Sequence, residues 1–141
     1  MPWIISIHAY GTQFRPSEID YPFTTSTEPG TIGIEGRYRD KPVPYGSIII
    51  EVPRRIPNNK RIEYIVRTVL PLMPDLKRAG ATEWYLNIGR FYSSQCNEAF
   101  STEELKLLAS LDCPLHYSAY KVSKKRESEL EKELGGNGIE D

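Results

Sequence analysis

The chain has 141 residues, 39% of them hydrophobic and 26% charged, a balance that suits one folded domain and excludes a wholly disordered chain. Eighteen basic against nineteen acidic side chains leave a formal net charge of −1, without the basic excess of a protein that lives on nucleic acid. Two cysteines make no disulfide framework, and no stretch approaches the roughly 20 apolar residues that span a bilayer.

Residues 3–10 alternate as a strand, with Trp3, Ile5, Ile7 and Ala9 on one face and Ile4, Ser6, His8 and Tyr10 on the other. Met1 to His8 turns polar too early for a secretory leader, so a cytoplasmic protein is expected. Pro16 starts a single helical turn over 15–20, and the Thr, Ser, Pro and Gly of 21–30 read as a loop. Residues 31–39 alternate again, Ile32, Ile34, Gly36 and Tyr38 against Glu35, Arg37 and Arg39. A turn at 40–46 and the β-branched run 47–52 then predict an antiparallel hairpin.

Asn58 and Asn59 are candidate caps for a helix in which Ile62, Ile65, Val66, Val69 and Leu70 recur at helical spacing. Pro71 and Pro74 predict a break near Leu70 and a short second helix through Ala79, with Gly80 just past its end. Thr82 to Phe91 is a strand, followed by a polar loop over 92–100. Ser101 and Glu104 form a capping-box pattern ahead of Leu105, Leu108 and Leu111, and Leu115 to Val122 is a last strand. From Ser123 the composition changes to a charged helical segment with a meagre apolar face, closed by Gly135, Gly136 and Gly138. The expected architecture is α+β: a mostly antiparallel sheet of about five strands, with two main helices packed on one face. The expected organisation is a single domain over 1–122 and a charged helical tail with a flexible end over 123–141.

No catalytic signature stands out. His8 and His116 lie inside predicted strands, and no Gly-x-Ser-x-Gly elbow or phosphate loop occurs. Ser6 and Ser118 lie two residues from a histidine, a spacing common by chance. Cys96 or Cys113 with a histidine is the weakest form of a dyad, and Cys113 with His116 is only one loose pair of metal ligands. Neither enzyme activity nor a metal or cofactor is expected. Arg37, Arg39, Arg54, Arg55 and Lys60, with Tyr10, Tyr38 and Tyr45 nearby, outline an alternative RNA-binding face. Residues 1–70 carry a charge of +2 and residues 71–141 a charge of −3, which places any basic patch in the first half. Nine tyrosines are more than common usage, and several fall on polar strand faces, as at protein interfaces.

Gly80-Ala81, the strand end Leu86-Asn87-Ile88-Gly89, the loop Gln95-Cys96-Asn97, Phe100-Ser101-Thr102-Glu103-Glu104-Leu105, Leu108-Ala109, Leu111, Pro114-Leu115 and the early Phe14-Arg15-Pro16-Ser17-Glu18-Ile19 come in a characteristic order. Over roughly residues 3–121 this order resembles the bacterial family catalogued as domain of unknown function 4279. The charged tail and the two prolines of the long helix depart from it. The resemblance implies a small intracellular α+β protein without an assigned reaction, in the style of immunity proteins. On that basis the expected function is a non-enzymatic protein-binding protein, most specifically an immunity protein that inhibits a bacterial toxin by steric occlusion. The expected partner-binding residues are Tyr85, Phe91, Tyr92, Gln95 and Asn97, aromatic anchors with polar neighbours. Glu83 and Glu98 would mimic phosphate if the toxin is a nuclease.

Overall fold

A computed structural model describes residues 3–134. The strands are β1 (Trp3–Gly11), β2 (Thr25–Thr27), β3 (Gly46–Glu51), β4 (Glu83–Tyr92) and β5 (Leu115–Lys121), and the helices are α1 (Arg61–Val69), α2 (Met73–Arg78), α3 (Thr102–Ser110) and α4 (Lys124–Leu134). The strands form one sheet in the order β2-β3-β1-β4-β5. Every pairing is antiparallel except β4 with β5, which is parallel because α3 carries the chain back to the start of the sheet. The fold is α+β, with a five-stranded, mostly antiparallel sheet.

Period-two alternation decides which side of the sheet is buried. Trp3, Ile5, Ile7 and Ala9 of β1, Ile48 and Ile50 of β3, and Leu86 and Ile88 of β4 share one face and are all buried. The apolar stripe of α1 (Ile62, Ile65, Val66 and Val69), with Leu76 of α2 and Leu111 just past α3, closes over them into one core. Pro71 and Pro74 divide the long helical stretch into α1, a 3-10 turn at Leu70–Leu72 and α2. Gly80 ends it with φ +110°, which a side chain would resist. Ser101 and Glu104 cap α3 reciprocally: the Glu104 N–H donates to Ser101 Oγ at 3.1 Å, and the Ser101 N–H donates to Glu104 Oε1 at 2.9 Å.

One expected element is absent. Residues 31–39 form no strand, and the hairpin with 47–52 does not exist; β3 pairs instead with β1 and with the short β2, inside the stretch that reads as a loop. The alternating residues have no core to face, for Ile32 and Ile34 are 56% and 87% exposed. Gly36 takes φ +67° and opens a 3-10 turn over Gly36–Tyr38. The segment then folds back on itself through Gly33 N–H to the Lys41 carbonyl and Val43 N–H to the Thr31 carbonyl. Alternation without burial does not specify a strand.

The charged C-terminal segment is helical over Lys124–Leu134 and contacts β4. Leu130 is buried apart from the main core, Ser93 Oγ donates to Glu127 at 2.7 Å, and the buried Arg61 guanidinium reaches the Leu134 carbonyl at 3.4 Å. The rest of the expected tail, from Gly135, lies outside the described residues. Among the described residues no helix is long and apolar enough to cross a membrane.

Candidate functional site

Helices α1, α2 and α3 cover only one face of the sheet. The opposite face is built from the residues that alternate with the core: Ser6, His8 and Tyr10 of β1; Ser47, Ile49 and Glu51 of β3; Glu83, Tyr85 and Asn87 of β4; and His116 of β5. Strand register sets these side chains in rows. His8 stands between Ile49 and Tyr85, Tyr10 between Ser47 and Glu83, and His116 beside Asn87.

Three rings of this face stack into a ladder across β1, β4 and β5. His8 lies 4.7 Å from Tyr85 with planes 6° apart, and Tyr85 lies 4.2 Å from His116 with planes 19° apart. Ser6 Oγ and His8 Nε2 are 3.0 Å apart in a hydrogen bond that orients the His8 ring. Burial first, and the charge of His116 second, hold the proton affinity of His8 below its usual value.

Beyond the ladder, at the end of the sheet where β1 finishes and β4 begins, lies a recess of about 510 Å³. Its walls include His8, Tyr10, Tyr45, Tyr85 and Glu83, above Ile48 and Ile49. Tyr10 and Tyr45 meet at a 60° tilt, 6.2 Å between centroids, so their rings make a corner. The Glu83 carboxylate next to the Tyr10 hydroxyl raises the phenol's pKa, with burial adding to it.

The expected partner-binding residues do not form one patch. Tyr85 is the middle rung of the ladder. Phe91, on the same face at the other end of β4, stacks on Tyr120 with 5.3 Å between centroids. The six-residue spacing from Tyr85 to Phe91 corresponds to about 20 Å of strand. Tyr92 alternates to the helix-covered side and is half-buried, its carbonyl accepting the Val122 N–H. Gln95 and Asn97 are exposed on the following loop. That loop is pinned at Cys96, whose Sγ lies 3.7 Å from the Tyr117 hydroxyl, and at Glu98, which pairs with Arg90.

The expected basic face is likewise dispersed. Arg37 and Arg39 belong to the loop before β3, Arg54 and Arg55 to the turn after it, and Lys60 to the turn before α1, so the whole of β3 separates the two groups. Arg37 already lies over the Tyr38 ring at 5.6 Å.

The chemistry open to these groups is limited. Ser6 is 3% exposed, so its hydroxyl offers no approach to a substrate carbonyl despite its histidine partner. Burial pushes the Cys113 thiol up, the reverse of an activated nucleophile. Among the described residues no three His, Cys, Asp or Glu side chains converge as metal ligands. His8, Tyr10, Tyr45 and His116 carry the site; the sequence places Tyr10 and Tyr45 only beside the alternative RNA-binding face and the two histidines only as weak dyad or metal candidates, not among the protein-partner residues. The available signal was the shared face of His8 and Tyr10; the pairing that sets Tyr85 between two histidines was not available. Compared with protein families, curated proteins and solved structures, the chain matches none.

Proposed function

We propose that this protein is a non-enzymatic binding protein that takes a protein partner around Tyr85 on the sheet face opposite α1, α2 and α3, and that the partner is a bacterial toxin blocked by steric occlusion. The observation that carries the binding reading is the His8–Tyr85–His116 ladder, on the side of the sheet opposite α1, α2 and α3. Stacked rings are rigid before binding, so little side-chain freedom is lost when a partner covers them. They offer a large amphipathic area of the kind that anchors interfaces. The toxin reading rests on the family resemblance of the sequence.

Charge separates a protein partner from nucleic acid on this face. Glu51 and Glu83 lie on it, and Lys or Arg is missing from the residues that line its recess. Phosphates would meet carboxylates there rather than cations.

The test is capture from native cells by the tagged full chain, side by side with the Tyr85→Ala and His116→Ala variants. A single protein should co-purify with the wild type through a high-salt wash. Its affinity should fall more than about fivefold in each variant, the cost expected of an anchor residue. Inhibition of that protein's toxicity by the wild type alone completes the assignment. Capture that is indifferent to both substitutions rejects the ladder as the binding surface. Recovery of nucleic acid that salt removes would reject the protein partner.

A further inference from the structure

We propose that the recess beside the ladder is a cation subsite that receives the guanidinium of an arginine on the protein partner. This rests on reading the face as a protein-binding surface, and it names the chemistry that surface selects.

The recess combines the two features that favour a planar cation. Aromatic rings supply the first: Tyr10 and Tyr45 meet at 60° to form a corner, and Tyr85, fixed by stacking on His8, stands at its other side. Ring faces carry negative potential and attract a cation, most strongly where water is partly excluded. The second feature is Glu83, which strand register sets opposite Tyr10 and which lines the same recess. Lysine and arginine are missing from the lining, so Glu83 has no charge partner among the residues around the recess. Thr12, Ser47 and Thr82 also line it, with hydroxyls suited to the remaining N–H donors.

The alternatives fit less well. An anionic group would face Glu83, and an apolar group would desolvate that carboxylate without compensation. An ammonium would satisfy the charge but would not stack. A guanidinium lies flat on a tyrosine ring and donates two parallel hydrogen bonds to one carboxylate. The chain contains its own example of the stacking half of this contact: the Arg90 guanidinium lies 4.2 Å from the Trp3 ring centroid. The recess shares His8 and Tyr85 with the ladder, so an arginine seated in it belongs to a partner already lying on the face.

The experiment is an NMR titration of the isotope-labelled full chain at constant ionic strength. The probe is Nα-acetyl-arginine amide, and the control is Nα-acetyl-citrulline amide, which has the same shape and no charge. Saturable shifts are expected at the amides of Gly11, Thr82 and Glu83 with arginine, and binding of citrulline should be at least about fivefold weaker. Glu83→Gln, at an exposed position, and Tyr45→Leu, which keeps apolar bulk, should each weaken arginine binding at least about threefold while the rest of the spectrum stays folded. Equal response to arginine and citrulline, shifts elsewhere on the protein, or indifference to Glu83→Gln overturns the subsite. The two readings fail separately. A partner lost with Tyr85→Ala beside a silent arginine titration removes only the cation subsite. Arginine binding in the recess beside a partner indifferent to Tyr85→Ala removes only the ladder surface.

Discussion

His8 and Tyr85 face each other across β1 and β4 with ring planes 6° from parallel and centroids 4.7 Å apart. The contact joins two central strands on the side of the sheet that has no helical cover from α1, α2 or α3, and His116 extends it to the edge strand.

The ladder carries a pH dependence whose sign follows from His8. The groups facing it are Ser6, Ile49, Tyr85 and His116, none of them a carboxylate. Burial and then His116 depress its folded pKa below the ordinary 6.5. Above that value both the native and the unfolded chain hold a neutral ring, and the contribution to stability is fully present. As pH falls below it, the unfolded chain takes up a proton that the native state resists, and stability is lost until the folded pKa is passed. Urea midpoints should therefore fall on acidification from about pH 7 to 5. His8→Gln should flatten that part of the profile, and His116→Gln should make it shallower. An unchanged slope in His8→Gln would assign the dependence to other groups.

Arg90 and Glu98 form a pair of a different kind from the surface ion pairs. Their side chains are 11% and 18% exposed, and the Arg90 guanidinium also lies over Trp3, whose Nε1–H donates to Asn58 at 2.7 Å. Glu98→Gln removes the charge partner of a largely buried cation and should cost roughly 1–3 kcal/mol in urea denaturation. Glu63→Gln, which removes the exposed partner of Arg67, should cost less than about 0.5 kcal/mol. Equal losses in the two variants would show that burial does not set the value of the Arg90 pair.

Backbone conformation separates two glycines. Gly36 has φ +67° but open space where a side chain would go, so Gly36→Ala should cost only about 1 kcal/mol. Gly80 combines φ +110° with the carbonyl oxygen of Gln13 at 2.5 Å from a built Cβ. Gly80→Ala should lower Tm several-fold more than Gly36→Ala, and comparable Tm values would mean that the loop after β1 yields easily.

The α3 cap has a simple reading. Ser101→Ala removes the acceptor for the Glu104 N–H and should cost about 1 kcal/mol. Ser101→Asp should restore most of it, which thermal melts of the two variants will report.

Much of the fold was legible because burial and periodicity agree. The strands at 3–10 and 82–91 and the helix broken at the prolines lie where their apolar spacing places them, to within a residue or two, whereas the strand at 115–122 forms with no buried residue, held by its parallel pairing with β4. The capping box of Ser101 and Glu104 closes in the expected way. The spurious strand at 31–39 had the same alternation as a real one; what it lacked was a strand to pair with along its length and a core for Ile32 and Ile34 to face, and periodicity carries no information about either.

The site divides along the same line. That His8 and Tyr10 point away from the core, and that Tyr85 opposes the Leu86 side of β4, follows from alternation in the chain alone, because successive strand residues face opposite ways. Which of these residues touch was decided only in three dimensions. The antiparallel register of β1 with β4 puts His8 opposite Tyr85, and the parallel return of β5 through α3 puts His116 beside Asn87, within stacking reach of the same ring. Pairing joins positions 77 and 31 residues apart in the chain, and the free energy that selects it comes from the buried face, on the other side of the sheet from the ladder it creates.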